Sequence, residues 1–328
     1  ALYRAAAETE KVSKGIIMYK YVLKRLLLII PVVLFVLFVV YTIMALTPGD
    51  PGRMILGVKA DQALVDQLNH ELGVDQPFFT RFFNYIKGIV TEAYFGVSWR
   101  TQDPVFDEIW VRFPYTILLA TVSIGIASIV GVVLGIISAV KQYSVLDNAL
   151  TVTALMLSVI PGFWLGMILI LIFSIHLGIL PASGAKSFDS FILPVMVLAL
   201  GAVGGLLRLT RSAMLETLRE DYIRTARAKG ASETRIIFHH ALKNALMPVI
   251  TNIGMTYGAM LGGAVITETV FNIPGLGLYI VTAIRTKDLP VVMGCVILIA
   301  VAYSVVMLIV DIIYAYIYPR IKAKYVER

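Results

Sequence analysis

Side chains able to do chemistry are few and scattered in this sequence. The histidines are His70, His176, His239 and His240, and the single cysteine is Cys295. Only His239 and His240 are neighbours, and adjacent side chains on a helix point about 100° apart, so they do not form a two-ligand metal face. One cysteine excludes an internal disulfide and a cysteine metal cluster. The chain contains no Gly-x-x-x-x-Gly-Lys-Ser/Thr phosphate loop, no Gly-x-Ser-x-Gly elbow and no His-Glu-x-x-His pair. No catalytic constellation, metal site or cofactor site is therefore expected, and ATP, if used, must bind another chain. Two acids stand out because each lies in or beside an apolar run. Asp311 reads as an ion-pair or helix-capping partner near one end of its run. Glu268 either faces a passage or accepts from the backbone N–H groups of Phe271–Gly277.

The elements that must hold these residues are mostly apolar. The chain has 328 residues, 59% of them hydrophobic and 15% charged, with a mean hydropathy of +0.85. Soluble domains carry about 25% charged residues, so an all-α integral membrane protein is expected. Six runs are long enough to cross a bilayer, at about 20 residues each. They are 26–46, Pro114–Val140, 149–177 (interrupted by Pro161-Gly162), Phe191–Leu207, Met247–Val265 and Val291–Tyr316. Gly254, Gly258 and Gly262 share one face of the fifth and suit close helix contact. Most of the basic residues flank the inner ends of these runs, which places both termini in the cytoplasm, and the net charge of +7 reflects that bias rather than nucleic-acid binding. Residues 1–25 form an N-terminal cytoplasmic segment, of which 1–17 read as an extension or a non-native remnant. Residues 47–113 form a long extracytoplasmic region, in which Asp61 caps a helix bearing Leu64, Leu68 and Leu72. An aromatic stripe at Phe79, Phe82, Phe83 and Tyr85 reads as a packing face or interface belt. Residues 114–328 form a core of five spans with a cytoplasmic loop at 208–246.

That loop contains the most charged long segment, Glu220–Pro248. Asp221 is a candidate N-cap for a short helix over Tyr222–Lys229. Gly230 suits the left-handed residue that ends it. Ser232 is a second N-cap, with Glu233 in the first turn of a helix that runs to Ala245 and Leu246. The pattern predicts a helix–glycine–helix elbow at the membrane surface.

The elbow resembles the signature loop of ABC importer permeases. Ala226, Gly230 and Leu242 match that pattern strictly, and R-T-A-R-A-K-G and H-A-L-x-N-A are forms of the dipeptide/oligopeptide branch. S-V-I-P-G-F-W-L-G at Ser158–Gly166, L-P-A-S-G at Leu180–Gly184, T-E-T-V-F-N-I-P-G-L-G ending at Gly277, and L-G-V-D-Q-P and Y-F-G-V-S in the first outer region are also similar to that branch. The resemblance covers Met18 to the C-terminus. It implies a type I ABC importer permease fold in a bacterial or archaeal plasma membrane. It implies a heterodimer with a second permease, two ATPase subunits carrying ATP and magnesium, and an extracytoplasmic solute-binding protein. The elbow helix Tyr222, Ile223, Arg224, Thr225, Ala226, Arg227, Ala228, Lys229 and Gly230 would couple to the ATPase, supported by Leu242, Asn244 and Pro248. Candidate pathway or outer-gate residues are Glu268, Pro274, Gly275, Gly277, Pro161 and Trp164. The implied solutes are di- and oligopeptides, with nickel complexes, glutathione or haem as the alternative. An ATP-independent secondary transporter or channel is the rival class, and the lack of a second broken helix in a matching half speaks against it.

Overall fold

The computed structural model describes residues 27–92 and 94–317. The segment 1–25 and the basic residues Arg320, Lys322, Lys324 and Arg328, assigned to the inner side from sequence, lie outside the described residues. The chain divides into two compact units, one made of the described residues up to Phe106 together with those from Ala283 onward, the other of Asp107–Thr282.

In the first unit, α1 (Leu27–Leu46) is followed by α2 (Pro51–Leu56), α3 (Gln62–Glu71) and α4 (Phe78–Glu92), and the last helix α14 (Leu289–Ile317) returns to it. Asp61 does cap α3, accepting from Ala63 N. The apolar residue that α3 buries is Val65, whereas Leu64 is half exposed. Half of the aromatic stripe packs: Tyr85 and Phe82 join a buried cluster with Met293 and Ile297, and Phe82 meets Phe38 and Tyr41 edge-on at 5.5 and 5.3 Å. Phe79 and Phe83 stay exposed. Two neighbouring residues ahead of α14 tie distant loops to it. Lys287 donates from Nζ to the carbonyls of Thr47 and Gly49, and burial lowers its pKa. The Asp288 carboxylate accepts from Ser98 Oγ at 2.5 Å and from the Trp99 and Arg100 amides.

The second unit contains most of α5 (Val105–Val140), then α6 (Val145–Val159), α7 (Gly162–Leu169), α8 (Ile192–Leu218), α9 (Asp221–Ala228), α10 (Glu233–Arg235), α11 (Leu242–Gly263) and α12 (Val265–Phe271). The helix α13 (Leu276–Arg285), for which the sequence gives no expectation, follows. Among the described residues four helices are long and apolar enough to cross a membrane singly, and two bent pairs, each taken as one span, bring the total to six. α8 is the helix on which α6, α7 and α11 pack. More than half of its most apolar stretch is buried (56%, against 11% for α1). Its neighbours come close because Gly131 and Gly135 of α5 face Leu206 and Thr210. A Cβ at those glycines would lie only 2.8 and 2.6 Å from the Cβ atoms of Leu206 and Thr210. Of the glycines expected to make such a face on α11, Gly254 and Gly258 are buried and Gly262, beside the break at Ala264, is exposed.

Several boundaries move. α5 starts ahead of Pro114, which lies inside the helix. Asp107 and Glu108 in its first turn favour the helix dipole, and Glu108 pairs with Arg112 at 2.6 Å, so this charged turn carries helix signals that the proline masked. α8 continues to Leu218, so Arg208 and Arg211 are helical rather than in a loop. Basic residues end an apolar run without ending a helix. The third run is broken more sharply than a proline kink, with its two helices meeting at 99° and Pro161 becoming the N-cap of α7. Pro248 likewise does not open a new helix but lies inside α11.

Candidate functional site

The elbow forms as a compact element. α9 begins one residue earlier than expected, with Glu220 at the N-cap and no side-chain cap bond. Asp221 is thus not the cap; its carboxylate is solvent-exposed, 3.7 Å from Arg224. One residue anchors the helix. Ile223 is fully buried in a cluster with Met214, Ile236, Ala241 and Ala245, drawn from α8 to α11. Ala226, one turn on, is half-buried, while Tyr222, Arg224, Thr225, Arg227, Ala228 and Lys229 are exposed. This is the period-3.6 division of a helix with a narrow inner face and a broad free one.

Gly230 ends α9 with φ +80°. Its N–H donates to Arg227 O at 2.9 Å, and Ala231 N donates to Ala226 O at 3.2 Å, the paired bonds of a Schellman cap. Ser232 then caps the second arm by accepting from Arg235 N. Two contacts brace the elbow that the sequence reading did not foresee. Arg227 forks onto Glu233 (Nε–Oε1 2.8 Å, Nη2–Oε2 3.2 Å), spanning the glycine. Asn244 Nδ2 donates to the Tyr222 hydroxyl at 2.7 Å, joining α9 to α11. Of the residues expected to support the loop, Asn244 makes this bond, Leu242 packs beside the Ile223 cluster, and Pro248 is exposed. Between the two arms and α11 the backbone passes through a π-helical stretch, Ile236–Ala241, which shifts the register of the faces.

Behind the elbow, Asp147 is 1% exposed and fully bonded. It accepts from Arg211 Nε and Nη2 at 2.7 and 2.8 Å, from Ser138 Oγ at 2.5 Å and from Tyr143 N at 2.9 Å. It ties α5, α6 and α8 together at one end. The sequence by itself gives Arg211 no role beyond one of the basic residues flanking an apolar run. Its partner lies 64 residues away, and no local pattern signals such a pair.

The loop containing the other candidate residues is tightly built. Glu268 is 0% exposed. Its carboxylate accepts from Thr116 Oγ1 at 2.7 Å and from Leu278 N at 3.0 Å, while Thr116 Oγ1 accepts from Leu276 N at 2.9 Å. Glu268 thus bonds to the backbone immediately after the Phe271–Gly277 stretch. Gly275 lies directly over it, and a Cβ there would fall 2.4 Å from Glu268 Cδ. A Cβ on Gly277 would meet the Val265 backbone at 2.5 Å. Pro274, Pro161 and Trp164 are exposed. Phe271 and Ile273 bury into a cluster with Leu119, Leu169 and Leu193.

Residues 131–323 match the family described as binding-protein-dependent transport system inner membrane component, and residues 18–120 match its N-terminal membrane component. The chain belongs to this family. It is a permease subunit of an ABC importer, a non-catalytic, multi-pass inner-membrane protein. The glutathione transport system permease protein GsiC of Escherichia coli (strain K12) is 40% identical to the permease over 307 residues, 94% of this chain and 100% of that one. The protein of the same name from Shigella dysenteriae serotype 1 (strain Sd197) is similar to the same extent, 40% over 307 residues, 94% and 100%. Two solved structures share the type I permease fold. One shows inward-facing conformations of the MetNI methionine ABC transporter, with a TM-score of 0.51 at 18% identity over 65% of this permease and 95% of that chain. The other is an amino acid ABC transporter with histidines, with a TM-score of 0.50 at 14% identity over 66% and 94%.

Proposed function

We propose that this permease forms half of a translocation pathway for short peptides, paired with a second permease, served by an extracytoplasmic solute-binding protein and driven by two ATPase subunits that hold ATP and magnesium. The observation that carries the coupling part of this reading is the division of α9. One buried residue, Ile223, fastens the helix to the rest of the unit, and every charged residue on it is exposed. A helix held this way fits a groove on a partner and moves with it. Closure of the ATPase pair would push α9, and Ile223 would pass the displacement to α8 and α11, shifting the spans between two states. Arg227–Glu233 and the Gly230 cap keep the two arms of the elbow moving together.

The resemblance to the peptide branch favours di- or oligopeptides as cargo. The relatives named as glutathione permeases favour a second reading within the same chemistry, because glutathione is itself a short peptide. Uptake of labelled dipeptide, longer peptide and glutathione by the assembled importer separates the two. For the coupling assignment, a cysteine at Ala228 is expected to cross-link to an ATPase subunit. Failure at every position from Tyr222 to Lys229 would refute the assignment.

A further inference from the structure

The first unit holds a cleft of about 330 Å³ that involves neither the elbow nor the Glu268 loop. That is the size range of small-ligand sites. Tyr41 near the end of α1, Arg81 and Tyr85 of α4, Trp99, and Pro290 at the start of α14 contribute to its walls. Two of these residues sit at the ends of helices that cross the membrane, so the cleft lies level with the bilayer's polar boundary, where Tyr and Trp collect.

Two residues of the cleft wall carry unspent donors just beneath its surface. Arg81 Nε and the Tyr85 hydroxyl are both buried, and neither has a hydrogen-bond partner among the described residues. Burial raises the Tyr85 pKa, so the phenol keeps its proton and remains a donor. One acid, Glu71, lies in the wall and accepts from Gln67 at 3.0 Å. Asp75, outside the lining, faces His70 at 2.7 Å and also feels the Arg81 charge. Buried donors left unpaired cost free energy, and a ligand rich in acceptors relieves that cost. A guanidinium presents parallel N–H groups that match phosphate oxygens.

We propose that this cleft binds a phosphate anion, supplied in the membrane by the headgroup of an anionic phospholipid, with Arg81 as its ion-pair partner and the Tyr85 hydroxyl as a second donor. The acyl chains would lie along α1, where Phe35 and Ile43 are exposed.

The test uses the assembled, delipidated importer in detergent. Short-chain phosphatidylglycerol is titrated in and bound lipid is counted by native mass spectrometry. Labelled inorganic phosphate is followed in parallel by equilibrium dialysis. Saturable retention of one lipid is expected, weakened about tenfold by Arg81→Gln, the loss expected for one charge-assisted bond. Tyr85→Phe provides a second variant that keeps the packing. It should weaken binding several-fold without lowering the thermal midpoint of the lipid-free protein, because the hydroxyl it removes has no partner there. Binding of inorganic phosphate but not lipid, with the same sensitivity to Arg81→Gln, would keep the anion site and overturn the lipid source. Absence of both ligands, or wild-type binding in both variants, would overturn the proposal.

Discussion

Gly230 and Gly275 each sit where the chain reverses, and each excludes a side chain on different grounds. At Gly230 no heavy atom lies within 4 Å of a would-be Cβ, and the constraint is the backbone itself, at φ +80°. At Gly275 the constraint is space, since the Glu268 carboxylate fills the position a Cβ would take. The surroundings differ in the same sense. The first arm of the elbow, α9, is anchored by one buried side chain, an exposed ion pair and the Asn244–Tyr222 bond, whereas the loop around Gly275 closes on a buried carboxylate whose hydrogen bonds come from Thr116 and Leu278. Segments that must engage partners and move are drawn from the weakly held parts of a structure, and rigid frames from the strongly held ones. The contrast fits the proposed coupling role of the elbow beside a fixed loop.

The largest effect is expected where space is the constraint. Gly275→Val should push Glu268 out of place and cost about 3 kcal/mol or more, as overpacking a full core does. The amount of monodisperse permease recovered after solubilisation would collapse. Glu268→Gln sharpens the point: it keeps the shape and one of the two acceptor oxygens and should recover more of that amount than Glu268→Ala. Recovery of Gly275→Val at wild-type levels would remove the rigid half of the comparison. Next in size is Ile223→Ala, which empties the single anchor of α9 at about 2–4 kcal/mol. Its global cost would show as a lower thermal midpoint, and uptake per ATP hydrolysed should fall further than stability explains.

Gly230→Val should be milder, at about 1–2 kcal/mol, because only a left-handed backbone is penalised. The permease should still assemble in the membrane, yet ATP hydrolysis should no longer drive uptake. Wild-type coupling in this variant would contradict the role given to the elbow. The smallest effect belongs to Arg227→Ala. An exposed pair contributes little and is screened by salt, so assembly should be unchanged. Any loss of coupling should be smaller than in Gly230→Val and should shrink as salt is raised in the wild type for comparison.

The parts of this permease legible in its sequence are those whose causes are local. The elbow's glycine and its Ser232 cap follow from residue types a few positions apart. So do the Asp61 cap and the apolar helices, two of which pair with shorter helices at breaks. Where a local signal was ambiguous, the reading stopped short. Pro114 hid the first turns of α5, and Arg208 and Arg211 hid the last turns of α8. A proline costs only one backbone bond, and a charged residue at a span's end changes its surroundings rather than its backbone.

Amino-acid order alone thus determined the class of the protein, the apolar runs and the position of the bent basic element between the fourth and the fifth of them. Chain folding in three dimensions decided which polar groups meet. Asp147 with Arg211, and Thr116 with Glu268, are pairs 64 and 152 residues apart. The reason is physical: propensity and hydropathy act within a turn or a span, but a buried acid is settled only by whatever donors the packed helices bring to it.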